Sequence, residues 1–359
     1  MFDAAMQPLF EVILLVQGVL YRGWKSIEIT CGMEQIAGSF DMTASDKWQA
    51  NAMSWPIMPS LKCFVLIGPT RVITGYIDDQ CPEYDERNHI LRVTGRDATG
   101  DLVDCSAIYK SGQWKKAGLQ KIATDLCLPY GISVSAETAL GKPFDVFAIQ
   151  DGESVYETLD RACRQRGVLP LSDGNGGLVL TRAGLSMIPT ALVKGKNIER
   201  GAGNYSHKDR FSKYIVKGQA PGGDQYSKPE DHMQLKSEAE DSGVIRHRPK
   251  IIYAEQGDNM TYSERAKWER NVRAGRAIRV QYTVSGWEYL PTRIWQPNKM
   301  VMVIDDYLGI FQPLLITRCT YVLDDSGSRT LLELCPREAF ELGTTPNVKF
   351  KAQKTESLV

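Results

Sequence analysis

The chain has 359 residues, room for about two to three domains and a substantial buried core. Its 43 Lys and Arg balance 43 Asp and Glu, which excludes a protein that grips nucleic acid or anionic lipid through a global positive field and leaves open only a local patch. At 43% hydrophobic and 24% charged residues, wholesale disorder is excluded as well.

The first third predicts strands and turns. No secretory signal is expected, because the apolar run at 12–16 is short and Asp3 and Glu11 precede it without a basic region. No segment approaches the ~20 apolar residues of a membrane span. Residues 19–30 alternate imperfectly through Tyr21, Trp24, Ile27 and Ile29, and residues 39–43 alternate again. Apolar, β-branched runs at 63–67 and 72–77 around Gly68-Pro69-Thr70-Arg71 predict a hairpin. A charged loop at 83–88 leads to a strand at 89–94, which ends in Gly95-Arg96-Asp97. Asp97 is placed to cap a short helix through Leu102 and Val103. Residues 1–106 are expected to form a small antiparallel barrel or roll.

Residues 107–185 change character. Leu119, Ile122, Ala123, Leu126 and Cys127 form an amphipathic helical stripe, which Pro129 and Gly131 stop before a strand at 132–134. Val155, Leu159, Ala162 and Cys163 repeat the stripe, and Gly167 ends it before a strand at 168–171. Leu119 and Val155, Cys127 and Cys163, and Gly131 and Gly167 share one spacing, so two helix–strand units in a two-layer α/β domain are expected. Asp173-Gly174-Asn175-Gly176-Gly177 then turns into a hairpin strand.

Residues 186–220 return to strand, notably at Tyr214-Ile215-Val216-Lys217-Gly218. Residues 221–277 read as an excursion. It comprises an exposed polar loop at 221–245, which includes the acidic run 238–241, and a charged helix at 263–276 anchored by Ala266 and Trp268. In that helix Glu264 and Glu269 interleave with Arg265, Arg270, Arg273 and Arg276, which predicts a salt-bridged, solvated face. Residues 278–345 carry four more strands, with Asp324-Asp325-Ser326-Gly327 turning between the last two, and 346–359 form a polar tail. The fold class is therefore α+β, mainly β: two β domains, the second split into 186–220 and 278–345, around an α/β body.

The search for chemistry is mostly negative. The eight cysteines have no C-x2-C or C-x4-C spacing, and most lie in apolar runs, so buried free thiols in a reducing compartment are expected. Four histidines, none in an H-E-x-x-H pattern, are few for a metalloenzyme; His232 and His247 fall in the polar region. There is no G-x-S-x-G elbow and no phosphate loop. Gly201-Ala202-Gly203 lacks the third glycine of a dinucleotide fingerprint, and Asp173-x-Asn175 lacks the distal Glu of a calcium loop. The pairs Asp78-Asp79, Asp305-Asp306 and Asp324-Asp325 read as turn residues rather than as two carboxylates facing across a glycosidase cleft.

Several motifs follow one another in order. Gly75-Tyr76-Ile77-Asp78 precedes Val93-Thr94-Gly95-Arg96-Asp97-Ala98-Thr99, Asp101-Leu102-Val103-Asp104-Cys105-Ser106 and Ser111-Gly112-Gln113-Trp114. Gly152-Glu153-Ser154-Val155-Tyr156-Glu157, Arg161 and Arg166-Gly167-Val168-Leu169 come next. Asp209-Arg210-Phe211-Ser212-Lys213-Tyr214, Val216-Lys217-Gly218, Arg248-Pro249 and Cys335-Pro336-Arg337-Glu338 complete the series. This series resembles the baseplate hub proteins (43 kDa tail proteins) of Mu-like contractile-tailed phages, over about residues 19–340. These are related to the hubs of T4-like phages and of type VI secretion spikes.

The resemblance implies two related tube-forming β domains per chain, with the excursion packed against the α/β body. It implies a homotrimer whose six similar domains adapt a threefold spike to a sixfold tail tube. The implied partners are a central spike or needle protein, a tail tube or tube-initiator protein and baseplate wedge proteins. DNA is met only in passage, which suits a chain of zero net charge, and no stable membrane insertion is implied. The implied location is the virion tail baseplate, after assembly in the host cytoplasm, with no cofactor, no metal and no enzymatic activity. The motif residues carry structural expectations only: Gly75, Gly95 and Gly218 at turns or bulges, Asp97 as a cap and Arg96 as an ion-pair donor. Tyr76, Asp78, Asp104, Trp114, Arg161, Gly167, Arg210 and Phe211 are further motif positions without a catalytic role. The alternatives are a type VI-like spike hub, told apart by a β-helical needle fused in the same chain, and a tail-associated cell-wall hydrolase or peptidoglycan-binding module.

Overall fold

A computed structural model describes residues 11–45, 57–86, 89–218, 236–253 and 261–341. The described residues open with seven strands: β1 (Val12–Val16), β2 (Val19–Tyr21), β3 (Ser26–Gly32), β4 (Ser39–Ser45), β5 (Lys62–Ile67), β6 (Thr70–Tyr84) and β7 (His89–Asp97). Period-two alternation sets their inner face: Phe40, Met42 and Ala44 of β4 and Leu91 and Val93 of β7 are buried in one core. A short helix, α1 (Gly100–Asp104), leads into the next layer.

That layer contains β8 (Gln113–Ala117), α2 (Leu119–Cys127), β9 (Ser133–Ala136), β10 (Phe144–Ala148), α3 (Val155–Arg164), β11 (Leu169–Ser172) and β12 (Gly177–Thr181). The stripes of α2 and α3 meet in a core of their own with Trp114, Phe144 and Phe147. Ser154 and Glu157 close a capping box on α3, exchanging bonds of 3.1 and 2.8 Å with each other's backbone N–H. Gly131 and Gly167, the matched glycines of the repeat, end the two helical units at φ +67° and +65°. Left-handed backbone is what a helix C-terminus requires there, and glycine adopts it without a Cβ penalty.

The remaining elements are β13 (Leu192–Val193), β14 (Arg200–Tyr205), β15 (Lys213–Lys217), β16 (Lys236–Glu240), β17 (Pro249–Tyr253), α4 (Tyr262–Arg276), β18 (Ile278–Ser285), β19 (Glu288–Leu290), β20 (Arg293–Ile294), β21 (Met300–Asp305), β22 (Ile310–Asp324) and β23 (Gly327–Cys335). The chain is mainly β, with several sheets. The largest runs β14-β18-β23-β22-β3-β4-β7-β6-β5-β1-β2, with β21 and β13 branching from β22.

This sheet contains one five-strand arrangement twice. Strands β3-β4-β7-β6-β5 and β14-β18-β23-β22-β21 have the same spatial order, the same chain order and antiparallel pairing throughout, while the strand beyond differs, β1 running antiparallel to β5 and β13 parallel to β21. Each unit has a six-residue strand, a fifteen-residue strand and a nine-residue strand in series. Each has a β-bulge on the long strand, at Asp78 in one and Thr317 in the other. Asp78 and Thr317, Tyr84 and Leu323, and Gly95 and Leu334 stand at one constant spacing. The duplication is absent from the residue pattern because the two units share no motif.

The units join edge to edge. Residues Arg318–Leu323 of β22 pair antiparallel with Gly32–Ile27 of β3, setting Tyr321 opposite Ile29 and Thr320 opposite Thr30. Thr30 Oγ1 and Thr320 Oγ1 lie 3.2 Å apart across this seam. Among the described residues, no strand covers the outer edge of β14 or the free side of β6 over residues 79–84.

Three expectations are corrected. Residues 186–220 are not one piece of the second β domain: β15 pairs with β16 and β17 in a separate sheet. The acidic run at 238–241 is not loop, because β16 places Glu238 beside Lys213 and Lys236 at 2.5 and 2.6 Å. The helix α4 packs on β15, β16 and the turn at Arg337–Phe340 rather than on the α/β body. Its salt-bridged face is turned inward: Glu269 is buried and bridged by Arg265 at 3.2 Å and Arg273 at 3.0 Å. Most of the polar loop at 221–245, His232 and the tail at 346–359 lie outside the described residues.

Candidate assembly surfaces and the motif residues

The motif residues gather into three clusters. In the first, β6 and β7 approach closely where each has a glycine. Gly75 faces Asp97 and Gly95 faces Ile77. A Cβ on Gly75 would fall on the Arg96 carbonyl, and one on Gly95 would lie 2.5 Å from the Phe40 ring. Both glycines sit in paired strand and permit backbone contact; Gly95 stands opposite the bulge at Ile77–Asp79, as expected, whereas Gly75 stands at neither a turn nor a bulge. The bulge itself belongs to Asp78, whose carboxylate it turns toward Arg96.

Arg96 bridges Asp78 at 2.7 Å and Asp104 at 2.8 Å, tying the long strand to α1. The guanidinium holds the Asp104 carboxyl below its usual range. Asp97 is buried, and burial pushes its carboxyl up. Its Oδ1 accepts from the Thr99 backbone N–H at 3.0 Å, but the residue that directly precedes α1 is Thr99. Asp97 thus closes a turn two residues before the cap position instead of capping the helix. Tyr76 packs against the core of the α/β layer.

The second cluster lies inside the α/β layer. Trp114 stacks on Tyr109 with ring centroids 4.4 Å apart and donates to Asp125 at 3.0 Å. Arg161 grips Glu153 through two bonds of 2.8 Å, donates to the Ala148 carbonyl at 2.7 Å and lies over the Phe147 ring. This holds the Glu153 carboxyl down at about 2, against 4.5 ordinarily. A depressed carboxyl stabilises the folded chain fully above the unfolded pKa, and the contribution drains as pH falls toward the folded one. Glu153→Gln is therefore expected to cost about 2 kcal/mol near neutrality. Melting temperatures of the variant and the parent should converge as pH falls from about 5 to about 2. A constant gap across that range would contradict the assignment.

The third cluster holds the separate small sheet against α4. Arg210 forks onto the buried Asp241 at 2.7 and 2.9 Å, and Asp241 also accepts from the Gly243 N–H at 2.9 Å. The Arg210 charge lowers the Asp241 carboxyl. Arg248, Lys250 and Arg273 surround the Phe211 ring at 5.0 to 5.5 Å. Gly218 lets the end of β15 pass the Tyr262 ring, whose Cζ would lie 2.7 Å from a Cβ; it too is a close approach rather than a bulge.

These clusters fasten neighbouring elements together, the first and third across layers and the second within one. Among the described residues, no group of His, Cys, Asp and Glu is placed to hold a metal. No described helix is long and apolar enough to cross a membrane. A cleft of about 300 Å³ lies where the two β units and the α/β layer meet, lined in part by Arg71, Asp97, Glu137, Asp173 and Lys299. Burial raises the thiols of Cys31, Cys63, Cys127 and Cys335 to about 12, so these remain protonated.

The polar face of the large sheet, opposite its core, neutralises its charges locally. Arg92 forks onto Asp41 at 2.5 to 3.0 Å, Thr94 donates to Asp79 at 3.1 Å and Arg318 bridges Glu333 at 3.3 Å. Sequence reasoning missed both this face and the seam. Each is made by strands far apart in the chain, and no local motif reports them.

Comparison with known proteins places these surfaces in context. Residues 11–97 match the family described as Mu phage baseplate assembly protein GpP-like, N-terminal. Residues 99–182 match baseplate hub protein gp44-like, second domain, and residues 259–343 match Mu phage baseplate assembly protein GpP, fourth domain. The chain is 35% identical to the baseplate hub protein gp44 of Escherichia phage Mu, over 92% of this chain and 88% of that one. It is similar to the 43 kDa tail protein of prophage MuSo2 from Shewanella oneidensis, with 36% identity, a TM-score of 0.80 and coverage of 92% and 99%. It is also similar to the tail protein from Neisseria meningitidis MC58, with 26% identity, a TM-score of 0.77 and coverage of 92% and 98%.

Proposed function

Because the chain belongs to the baseplate hub proteins of Mu-like phages, we propose that it works as a homotrimeric ring at the centre of the tail baseplate. Its role as a structural hub of a phage tail follows from that membership. The finer reading is geometric. The observation that carries it is the duplicated five-strand unit within one continuous sheet. Three such chains bring six similar units round one axis, so one face of the ring can meet a sixfold tube while the other keeps threefold symmetry for a spike. Baseplate wedge proteins are the partners expected at the rim, and assembly takes place in the host cytoplasm.

The paired charges on the polar sheet face support a conduit. A strand lining made of Arg92–Asp41 and Arg318–Glu333 pairs offers passing DNA no run of free cations to bind. The role is non-enzymatic, and a turbid peptidoglycan suspension should stay turbid when the purified protein is added. The deciding measurement is mass in solution. Light scattering of the purified chain is expected to give three times 40.1 kDa. A stable 40.1 kDa monomer at high concentration would overturn the ring.

A further inference from the structure

Asp97 ends β7 on the wall of the cleft where the two β units and the α/β layer meet. It is 2% exposed, yet its two carboxylate oxygens are treated unequally. Oδ1 accepts from the Thr99 backbone N–H at 3.0 Å and from the Thr99 hydroxyl at 2.8 Å. Oδ2 is buried and accepts no hydrogen bond among the described residues. The neighbouring Arg96 does not compensate it. Strand alternation turns that side chain to the other face, where Asp78 and Asp104 hold the guanidinium. The Thr99 and Ser172 hydroxyls pull the Asp97 carboxyl down, but burial outweighs them and leaves it raised. A buried carboxylate with an unused oxygen costs free energy that a hydrogen-bond donor would recover.

We infer that this cleft is a binding site for an aliphatic ammonium group, which donates to Asp97 Oδ2. The chemistry of the wall selects that class. Three carboxylates, Asp97, Glu137 and Asp173, line the cleft against two cations, Arg71 and Lys299, and Arg71 lies over the Phe64 ring at 4.7 Å. A cation is therefore favoured over an anion. A divalent metal fits poorly, because calcium takes about six to eight oxygens and magnesium a full octahedron, and Oδ1 is already occupied. A guanidinium fits poorly as well, since its fork engages two oxygens side by side. An ammonium is a compact donor that satisfies a single acceptor and leaves its other hydrogens to water.

The cleft also has room for the chain that carries the charge. Its volume of about 300 Å³ is about ten times a water molecule's share of the liquid. Leu171, Val179 and Ile294 give it an apolar wall against which methylene groups can lie. Two sources supply this chemistry: a free aliphatic diamine, or a lysine side chain of a partner protein. Either would touch the end of β7, the turn between β11 and β12 and residues 296–299 at once. A ligand held only by the folded chain raises its stability. The site does not depend on the ring proposed above.

Titration calorimetry of the full-length chain with putrescine, with Nα-acetyl-lysine methylamide and with tetramethylammonium tests the site. Both primary amines are expected to bind and to raise the melting temperature. Tetramethylammonium, a cation without an N–H donor, is expected to do neither. Tighter binding of putrescine assigns the site to a free diamine, and tighter binding of the lysine amide assigns it to a partner's lysine. Asp97→Asn keeps the size of the side chain, removes its charge and should weaken amine binding about tenfold or more. Val179→Phe, at a half-buried position on β12, should fill the cleft and abolish binding without touching Asp97. No binding of either amine to the parent chain would overturn the site, as would an equal response to tetramethylammonium. Unchanged affinity in whichever of the two variants folds would overturn it as well.

Discussion

Gly75→Ala is expected to lower stability by about 3 kcal/mol or more, read as a fall in the urea midpoint at unchanged slope. The added methyl has nowhere to go. It lands on the Arg96 carbonyl, beside the Asp97 Cα at 2.7 Å, and all of these are backbone atoms that no rotamer change can move. Relief requires β6 and β7 to part at the point where Gly75 pairs with Asp97. That separation would pull Arg96 from Asp78 and Asp104 and loosen the link to α1. Gly118→Ala is the control: it precedes α2, a Cβ there would meet nothing within 4 Å, and the change should cost less than about 1 kcal/mol. Equal losses in the two variants would show that Gly75 is chosen for a reason other than close approach.

Tyr321→Ala is expected to cost about 3 to 5 kcal/mol and to act on both β units at once. Tyr321 is 1% exposed and stands on the seam opposite Ile29. Its hydroxyl donates to the Trp295 carbonyl. Truncation leaves a ring-sized cavity where the two units share a core and strands that carbonyl. Tyr321→Phe keeps the ring and removes only the bond, so about 1 to 2 kcal/mol is expected. The difference between the two variants, by urea denaturation, separates packing from hydrogen bonding. If Tyr321→Ala melted like the parent, the seam would not be a shared core.

Local structure was legible wherever the signal was local. The helices α2 and α3 could be read from one stripe each, and the β5–β6 hairpin from the Gly68-Pro69 turn between apolar runs. β15 was legible as a strand but not as a member of its sheet, because Tyr214 and Val216 show only that one face is buried. β16 was hidden for the opposite reason. Its glutamates read as solvated loop, and only Lys213 across the strand pair makes them strand residues. Gly75 and Gly218 stand out as special positions, but for a different reason than their sequence neighbours suggest. A turn glycine and a close-approach glycine look alike until the opposing strand is known. The cap assigned to Asp97 missed by two residues, the usual margin at helix ends.

The sequence alone determined that this is a globular, mainly β chain with an α/β body, without a global charge and without a recognisable catalytic motif, and its ordered motifs pointed to the hub family. These properties are set by composition, by periodicity and by residues near one another in the chain. Only the tertiary structure decided that the β regions repeat one five-strand unit, that they share one sheet through β3 and β22, and which strand edges are unpaired among the described residues. Strand pairing is made by backbone groups common to all residues, so two units can repeat a topology without repeating a side-chain pattern. The balance of 43 against 43 likewise shows nothing about where charges meet; the sheet does, by setting Arg92 beside Asp41 and Arg318 beside Glu333.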